Sequence, residues 1–205
     1  MNNGFNKRLI LASASPRRRE LLSIITDDFE IITREIDERG AEIYMENKGT
    51  PAVRVSEGLA FLKAKAVFDE LSEEQKANVL VIGADTSVIL DNEIFGKPKD
   101  KEEAISMLTR LSGKTHVVAT GVALITSEKT KCFTEVTPVE FCELDQFQKD
   151  LIESYCSTDE PYDKAGAYGI QEWIGLTGIT AIKGSYFNVV GFPTHLVYEM
   201  LLAFL

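Results

Sequence analysis

Four consecutive apolar residues, Val79-Leu80-Val81-Ile82, run without a polar break into Gly83-Ala84-Asp85-Thr86. A β-branched run of this kind suits a strand buried on both faces, and such a strand needs other elements to cover it. The rest of the chain supplies them. Leu9-Ile10-Leu11-Ala12 reads as a short buried strand. Ser15-Pro16 behind it reads as an N-cap and a first helical residue, predicting a helix with Leu21, Leu22 and Ile25 inward. Residues 29–32 predict a second strand, then a polar, acidic loop; Thr50-Pro51 predicts a helix reaching residue 70. Residues 87–90 and 93–95 flank Asp91-Asn92, a hairpin turn. Asp100 and Glu103 have capping-box spacing before a helix that stops at Ser112-Gly113. Two long strands, residues 116–126 and 132–143, are expected on either side of a turn near Glu128-Lys129. A helix over 145–157, a strand over 179–183 and a Leu-rich helix opened by Pro193 complete the series. Alternating strands and helices predict an α/β class, and the two long adjacent strands make its sheet mixed.

A chain of 205 residues with 44% hydrophobic content buries a sizeable core as one domain, residues 1–205, or as two intimately packed lobes. No apolar stretch approaches the roughly eighteen residues a membrane span needs. The start is polar and then basic, which predicts no secretion signal. Cys132, Cys142 and Cys156 are odd in number and lack CxxC spacing, so buried reduced thiols are expected rather than a zinc site or disulfides. The net charge of −10 argues against stable binding to nucleic acid. An acidic chain that handles phosphates must gather its cations in one place.

Five segments carry chemistry. Ser13-Ala14-Ser15-Pro16-Arg17-Arg18 lies between a strand and a helix start, where free backbone N–H groups favour an anion and guanidinium forks fit phosphate oxygens. It reads equally as a capped helix with solvated arginines, although arginines at a helix start oppose the dipole. Asp85 and Thr86 follow the apolar run, at the expected carboxyl end of a strand, where α/β sheets hold ligands and where a carboxylate serves a metal or a water. Lys97, in Gly96-Lys97-Pro98, offers a point charge, as does any solvated lysine. Lys63 and Lys65 stand two apart on a helix, so at most one serves a given site. Glu35-Ile36-Asp37-Glu38 supplies a second metal carboxylate or is a solvated acidic loop. Residues 159–171 mix charges, small residues and aromatics without a period, as binding loops do. Within them Asp163-Lys164 reads as a buried pair fixing the loop, and Gln171 has the donor and acceptor that suit the edge of a base. His116 and His195 read as structural, and Trp173 as packing.

LILASASPRRRELL, VIGADTSVIL, GKP, LSGKTH, EPYDKAGAYGIQ and GSYFNVVGFP together resemble the Maf family, the septum-formation-inhibitor-like nucleotide pyrophosphatases, in the order found there. The resemblance runs from Leu9 to Pro193. It implies an elongated mixed β-sheet flanked by helices, as two lobes around a central cleft. It also implies a divalent cation, Mg²⁺ or Mn²⁺, and a cytoplasmic homodimer. On matching motif positions the resemblance makes Asp85 the catalytic acidic residue, described as proton acceptor, with Ser13, Arg18, Lys63 and Lys97 holding phosphates and Glu38 joining Asp85 at the metal. Arg17, Thr86 and Gln171 resemble the branch that cleaves dTTP and UTP to the monophosphate and pyrophosphate. After Gln171 the chain departs from the family's small residues with Glu172-Trp173-Ile174. The competing expectation is a non-catalytic nucleotide-binding regulator of septum formation, which keeps the phosphate cradle and has no need of Asp85. A phosphoryl transferase of the P-loop kind is disfavoured, because no GxxxxGK[ST] is present.

Overall fold

Strand β3 (Val79–Leu90) is the longest apolar track of the chain, and the sheet is assembled around it. In the computed structural model, residues 7–204 are described. The strands are β1 (Arg8–Leu11), β2 (Glu30–Ile31), β3, β4 (Glu93–Phe95), β5 (Thr115–Ile125), β6 (Thr130–Phe141) and β7 (Ile179–Ile182). Their hydrogen-bonded order is β2-β1-β3-β5-β6-β7, with β4 attached to β3. Strand β1 is parallel to β2 and β3, whereas β4 on β3 and β7 on β6 are antiparallel, so the sheet is mixed and the class α/β. The first six residues, which carry most of the expectation about a secretion signal, lie outside the described part. No helix among the described residues is long and apolar enough to cross a membrane.

The described residues divide into two compact units. The first takes in the chain up to Asp85, Thr120–Glu135 and the chain from Gly191; the second takes in Thr86–Ala119 and Val136–Val190. In the first, Arg8 to Leu11 of β1 pair in register with Val79 to Ile82 of β3. Ile10, Val79, Val81, Ala123 and Ile125 pack against Ala60, Ala64 and Val67 of helix α3 (Ala52–Asp69). The small residues of α3 let it lie close on the strand. Gly83 completes this fit, since a Cβ there would stand 2.2 Å from the Ala60 carbonyl oxygen. Helices α1 (Pro16–Ile25), α2 (Glu38–Asn47), α4 (Glu73–Ala77) and α9 (Thr194–Leu202) complete the unit.

In the second unit Asp91 and Asn92 turn the β3–β4 hairpin at φ 52° and 67°, the left-handed pair that a tight two-residue turn requires. Val88, Phe95, Val139 and Phe141 share a core with Leu108 and Leu111 of α5 (Lys101–Leu111) and Ile152 of α6 (Gln146–Tyr155). Beyond α6 come 3₁₀ turns at Glu160–Asp163 and Ala165–Ala167, helix α7 (Trp173–Gly178), β7 and α8 (Tyr186–Val190).

Several expectations need correction. The apolar run and residues 87–90 are one strand of 12 residues, so Asp85 sits inside a strand and not at its end. The acidic loop contains α2, whose start is capped by Asp37 Oδ1 accepting from the Gly40 N–H at 2.9 Å. No residue of α2 is fully buried; its inward side is made of half-buried residues such as Ala41, Glu42 and Met45. Ser15 is the N-cap of α1 with Pro16 behind it, as expected, but makes no side-chain cap bond, and Pro51 rather than Thr50 occupies the cap position of α3. The second strand shrinks to Glu30–Ile31, and Ile25 is only partly buried. Helices α4, α7 and α8 and the 3₁₀ turns of residues 159–171 are short and were not anticipated.

Candidate active site

In the first unit four elements bring charges together at Asp85. Lys63 comes from α3, one turn beyond Ala60, where the helix presses on Gly83. Its ammonium donates to Asp85 Oδ1 at 2.6 Å and stands 3.1 Å from Glu38 Oε2, at the first turn of α2. The lysine and Asp85 side chains are mostly buried, 15% and 13% exposed, whereas Glu38 is half exposed. Lys65, two residues on, pairs instead with Asp69 at 2.6 Å on the exposed face, so one lysine of the two reaches the cluster.

Arg18 lies on the same side of β3. Its Nε donates to the Gly191 carbonyl at 2.9 Å, and its Nη1 donates to the Ala84 carbonyl at 2.8 Å and to Ser13 Oγ at 3.2 Å. The Ser15 N–H also donates to Ser13 Oγ, at 3.3 Å, so the buried hydroxyl accepts twice. Burial pulls the Arg18 guanidinium below its ordinary pKa, and the charge of Asp85 partly offsets this while Arg17 adds to it. Arg17, in the first turn of α1, is half-buried. The arginines that oppose the α1 dipole thus have their reason: Arg18 is a fixed cation behind Asp85.

Glu42 was not anticipated. It stands one helical turn after Glu38 on α2 and pairs with Arg39 at 3.2 Å. Burial raises its carboxyl above the ordinary range; Arg39 counters this, and the negative charges of Asp85 and Glu38 push the same way as burial. The i, i+4 spacing in Glu38-Arg39-Gly40-Ala41-Glu42 carries the signal, but only to a reader who knows that α2 is a helix. Among the described residues, no group of three or more His, Cys, Asp or Glu is placed to hold a metal ion.

The remaining candidates belong to the second unit. Thr86 follows Asp85 on β3, and strand alternation puts it on the opposite face. Lys97 is exposed after β4, and Gln171 is exposed just before α7. Lys164 is the buried centre of the loop between, only 6% exposed. Its ammonium meets Asp163 Oδ1 at 2.6 Å, Glu172 Oε1 at 2.9 Å and Glu160 Oε2 at 3.5 Å, and donates to the Glu160 carbonyl. Burial lowers the lysine pKa, but Asp163 and Glu172 outweigh it and hold the ammonium above its ordinary value. The expected Asp163–Lys164 pair is therefore real but buried on one side only, because Asp163 is more than half exposed. Tyr155 donates to Glu172 Oε2 at 3.1 Å; burial and then that carboxylate keep the phenol protonated far above its usual range.

His116 is buried, shares a 2.7 Å hydrogen bond through Nε2 with the Tyr168 hydroxyl, and has a pKa pushed down by burial to about 4. With Phe141 and Tyr168 it forms an edge-to-face aromatic set, which is a structural role. His195 is exposed and faces Glu199 at 3.4 Å, not the apolar side of α9. Trp173 packs against the second unit's core. All three thiols are free, but only Cys156 is fully buried; Cys132 and Cys142 are half-buried, a correction to the expectation.

The profile of the family described as "Maf-like protein" matches residues 8–204. A protein of Flavobacterium psychrophilum named dTTP/UTP pyrophosphatase is 45% identical over 197 residues, covering 96% of this chain and 94% of that protein. Proteins of the same name from Thermosipho africanus and Clostridium botulinum are 44% and 42% identical, each over at least 95% of this chain and 92% of their own length.

Proposed function

The chain belongs to the Maf-like protein family, and we propose on that premise that it is a nucleoside triphosphate pyrophosphatase hydrolysing dTTP and UTP to the monophosphate and pyrophosphate. The carrying observation is the near-full-length similarity to proteins bearing that name, in a chain whose Asp85, Lys63 and Glu38 converge at hydrogen-bond distance.

Water attacks the α-phosphorus, the α–β anhydride bond breaks, and pyrophosphate leaves. Ser13, Arg17, Arg18 and Lys63 are assigned to the phosphates, as is Lys97. Lys63 exchanges its carboxylate partners for phosphate oxygens when substrate arrives, which releases the two carboxylates for their own work. Asp85 orients the attacking water and accepts a hydrogen bond from it. Gln171 reads a pyrimidine through its paired donor and acceptor, with Arg17 and Thr86 assigned to the same selectivity.

The resemblance implies Mg²⁺ or Mn²⁺, and the donor set fits such an ion. Glu38 and Asp85 face one ammonium at 3.1 and 2.6 Å, so a single cation can address both hard oxygens. Magnesium is commonly held by one or two carboxylates plus substrate phosphates. When bound, the ion supplies charge neutralisation for the leaving pyrophosphate. We assign the protein to the cytoplasm as a homodimer, a state that sedimentation of the purified protein tests.

The deciding experiment is a product assay with dTTP, UTP, GTP and ATP. The monophosphate and pyrophosphate are expected, with the pyrimidine nucleotides fastest. Diphosphate and inorganic phosphate would overturn the reaction, and nucleotide binding without turnover would favour a regulator.

A further inference from the structure

Gln171 is exposed, yet a base-reading amide works only at a set position. What holds it is the next residue. Glu172 is the cap residue of α7 and accepts through its backbone carbonyl from the Leu176 N–H at 2.9 Å. Its backbone N–H donates to the Gly169 carbonyl at 3.1 Å, closing a tight turn around Ile170 and Gln171. Its carboxylate is gripped from two directions, by the Lys164 ammonium at 2.9 Å and the Tyr155 hydroxyl at 3.1 Å. Lys164 is buried and Tyr155 half-buried, so the grip is shielded from solvent on both sides. This is the place where the sequence departs from the family's small residues.

Building on the pyrimidine-nucleotide reading above, we propose that Glu172, clamped between Lys164 and Tyr155, is a positioning residue that sets Gln171 for base discrimination. Glu172 touches no reacting atom; it acts through Gln171. The other end of the loop is held separately: Gly166, at φ 69°, donates its N–H to the Gly96 carbonyl next to Lys97 at 3.1 Å. That bond is between backbones and does not involve the Glu172 carboxylate. The clamp therefore governs the base and leaves the phosphate end alone.

The test compares wild type with Glu172→Ala, Glu172→Gln and Tyr155→Phe, using dTTP, GTP and inorganic tripolyphosphate. Tripolyphosphate, as a competitive inhibitor, carries the phosphate chain without any base. Loss of the carboxylate in Glu172→Ala is expected to raise KM for dTTP about tenfold, with kcat within about threefold, and to narrow the dTTP-over-GTP ratio in kcat/KM. Its inhibition constant for tripolyphosphate stays at the wild-type value. Glu172→Gln keeps one acceptor oxygen for the Lys164 ammonium and puts an NH2 donor where the second oxygen met Tyr155, so it recovers part of the preference, and Tyr155→Phe, which leaves the Lys164 contact in place, loses less than Glu172→Ala. An unchanged dTTP-over-GTP ratio in Glu172→Ala overturns the clamp. So does a parallel rise of the dTTP KM and the tripolyphosphate constant, the sign of general loosening. If wild type itself has no pyrimidine preference, the reading beneath fails instead, and the wild-type arm alone reports that.

Discussion

Two lysines organise this molecule, and they do so in opposite ways. Lys63 gathers Asp85 and Glu38 from elements 22 and 25 positions away in sequence, and each of those carboxylates has a proposed task of its own. Lys164 gathers Glu160, Asp163 and Glu172 from its own loop, and none of these is assigned to chemistry. A pair made of groups that also serve substrate must be exchangeable. A pair made of neighbours can be permanent, because its only output is the shape of a loop. The general lesson is that a salt bridge is informative less for its strength than for what its members would do if released.

The most severe way to probe the exchangeable pair is to remove the cation that would replace the lysine. Metal-stripped protein in excess chelator is expected to lose all turnover and to regain it with Mg²⁺ or Mn²⁺; full activity under chelation would take the ion out of the mechanism. Next in size, Asp85→Asn is expected to lower kcat about a thousandfold while nucleotide affinity by calorimetry changes little, since shape and most hydrogen bonding are kept. Near-normal turnover would remove Asp85 from its role.

The sharpest test of the comparison itself sets Lys63→Met against Lys164→Met. The first should cut kcat/KM about a hundredfold and lower the melting temperature as well, because the mostly buried Asp85 carboxylate is left without its ammonium. The second should lower stability, on the order of 1–3 kcal/mol, a figure below that of a fully buried pair because two of its three carboxylates are over half exposed, and should narrow the dTTP-over-GTP ratio with kcat little changed, because it opens one side of the Glu172 clamp. Equal effects on the same property would erase the distinction between the two lysines. Smallest of all, Gln171→Ala is expected to narrow the dTTP-over-GTP preference about tenfold, read as kcat/KM on both nucleotides. A wider gap would show that Gln171 restrains the preferred base.

The same contrast explains what the sequence could say. Strong apolar runs and turn signals were readable: β1, the Asp91-Asn92 hairpin, α5 with its Asp100 cap and the long β5–β6 pair all lie within a few residues of expectation. Local pairs were readable too, as Asp163-Lys164 shows. Long-range ones were not. Nothing in the spacing of Lys63 and Asp85 announces a 2.6 Å contact; it depends on small residues of α3 meeting Gly83. Asp85 itself was found for a partly mistaken reason, since it was expected at the end of a strand and lies inside one. Glu42 lies in a segment that reads as an acidic loop, so its helical spacing from Glu38 is not apparent in the sequence.

That continuity of β3 carries a consequence for how the gene can change. Along an extended chain, side chains alternate sides with strict parity, and β1 locks the register of Val79 to Ile82 from below. One codon inserted between Ile82 and Asp85 would present Asp85 to the face now held by Thr86, and Thr86 to the face of Lys63, with every residue still present. The turn at residues 126–129 bears no such constraint and is where length can drift. In this chain the distance between the strand's apolar start and its acid is counted in residues, and only even changes preserve the sense.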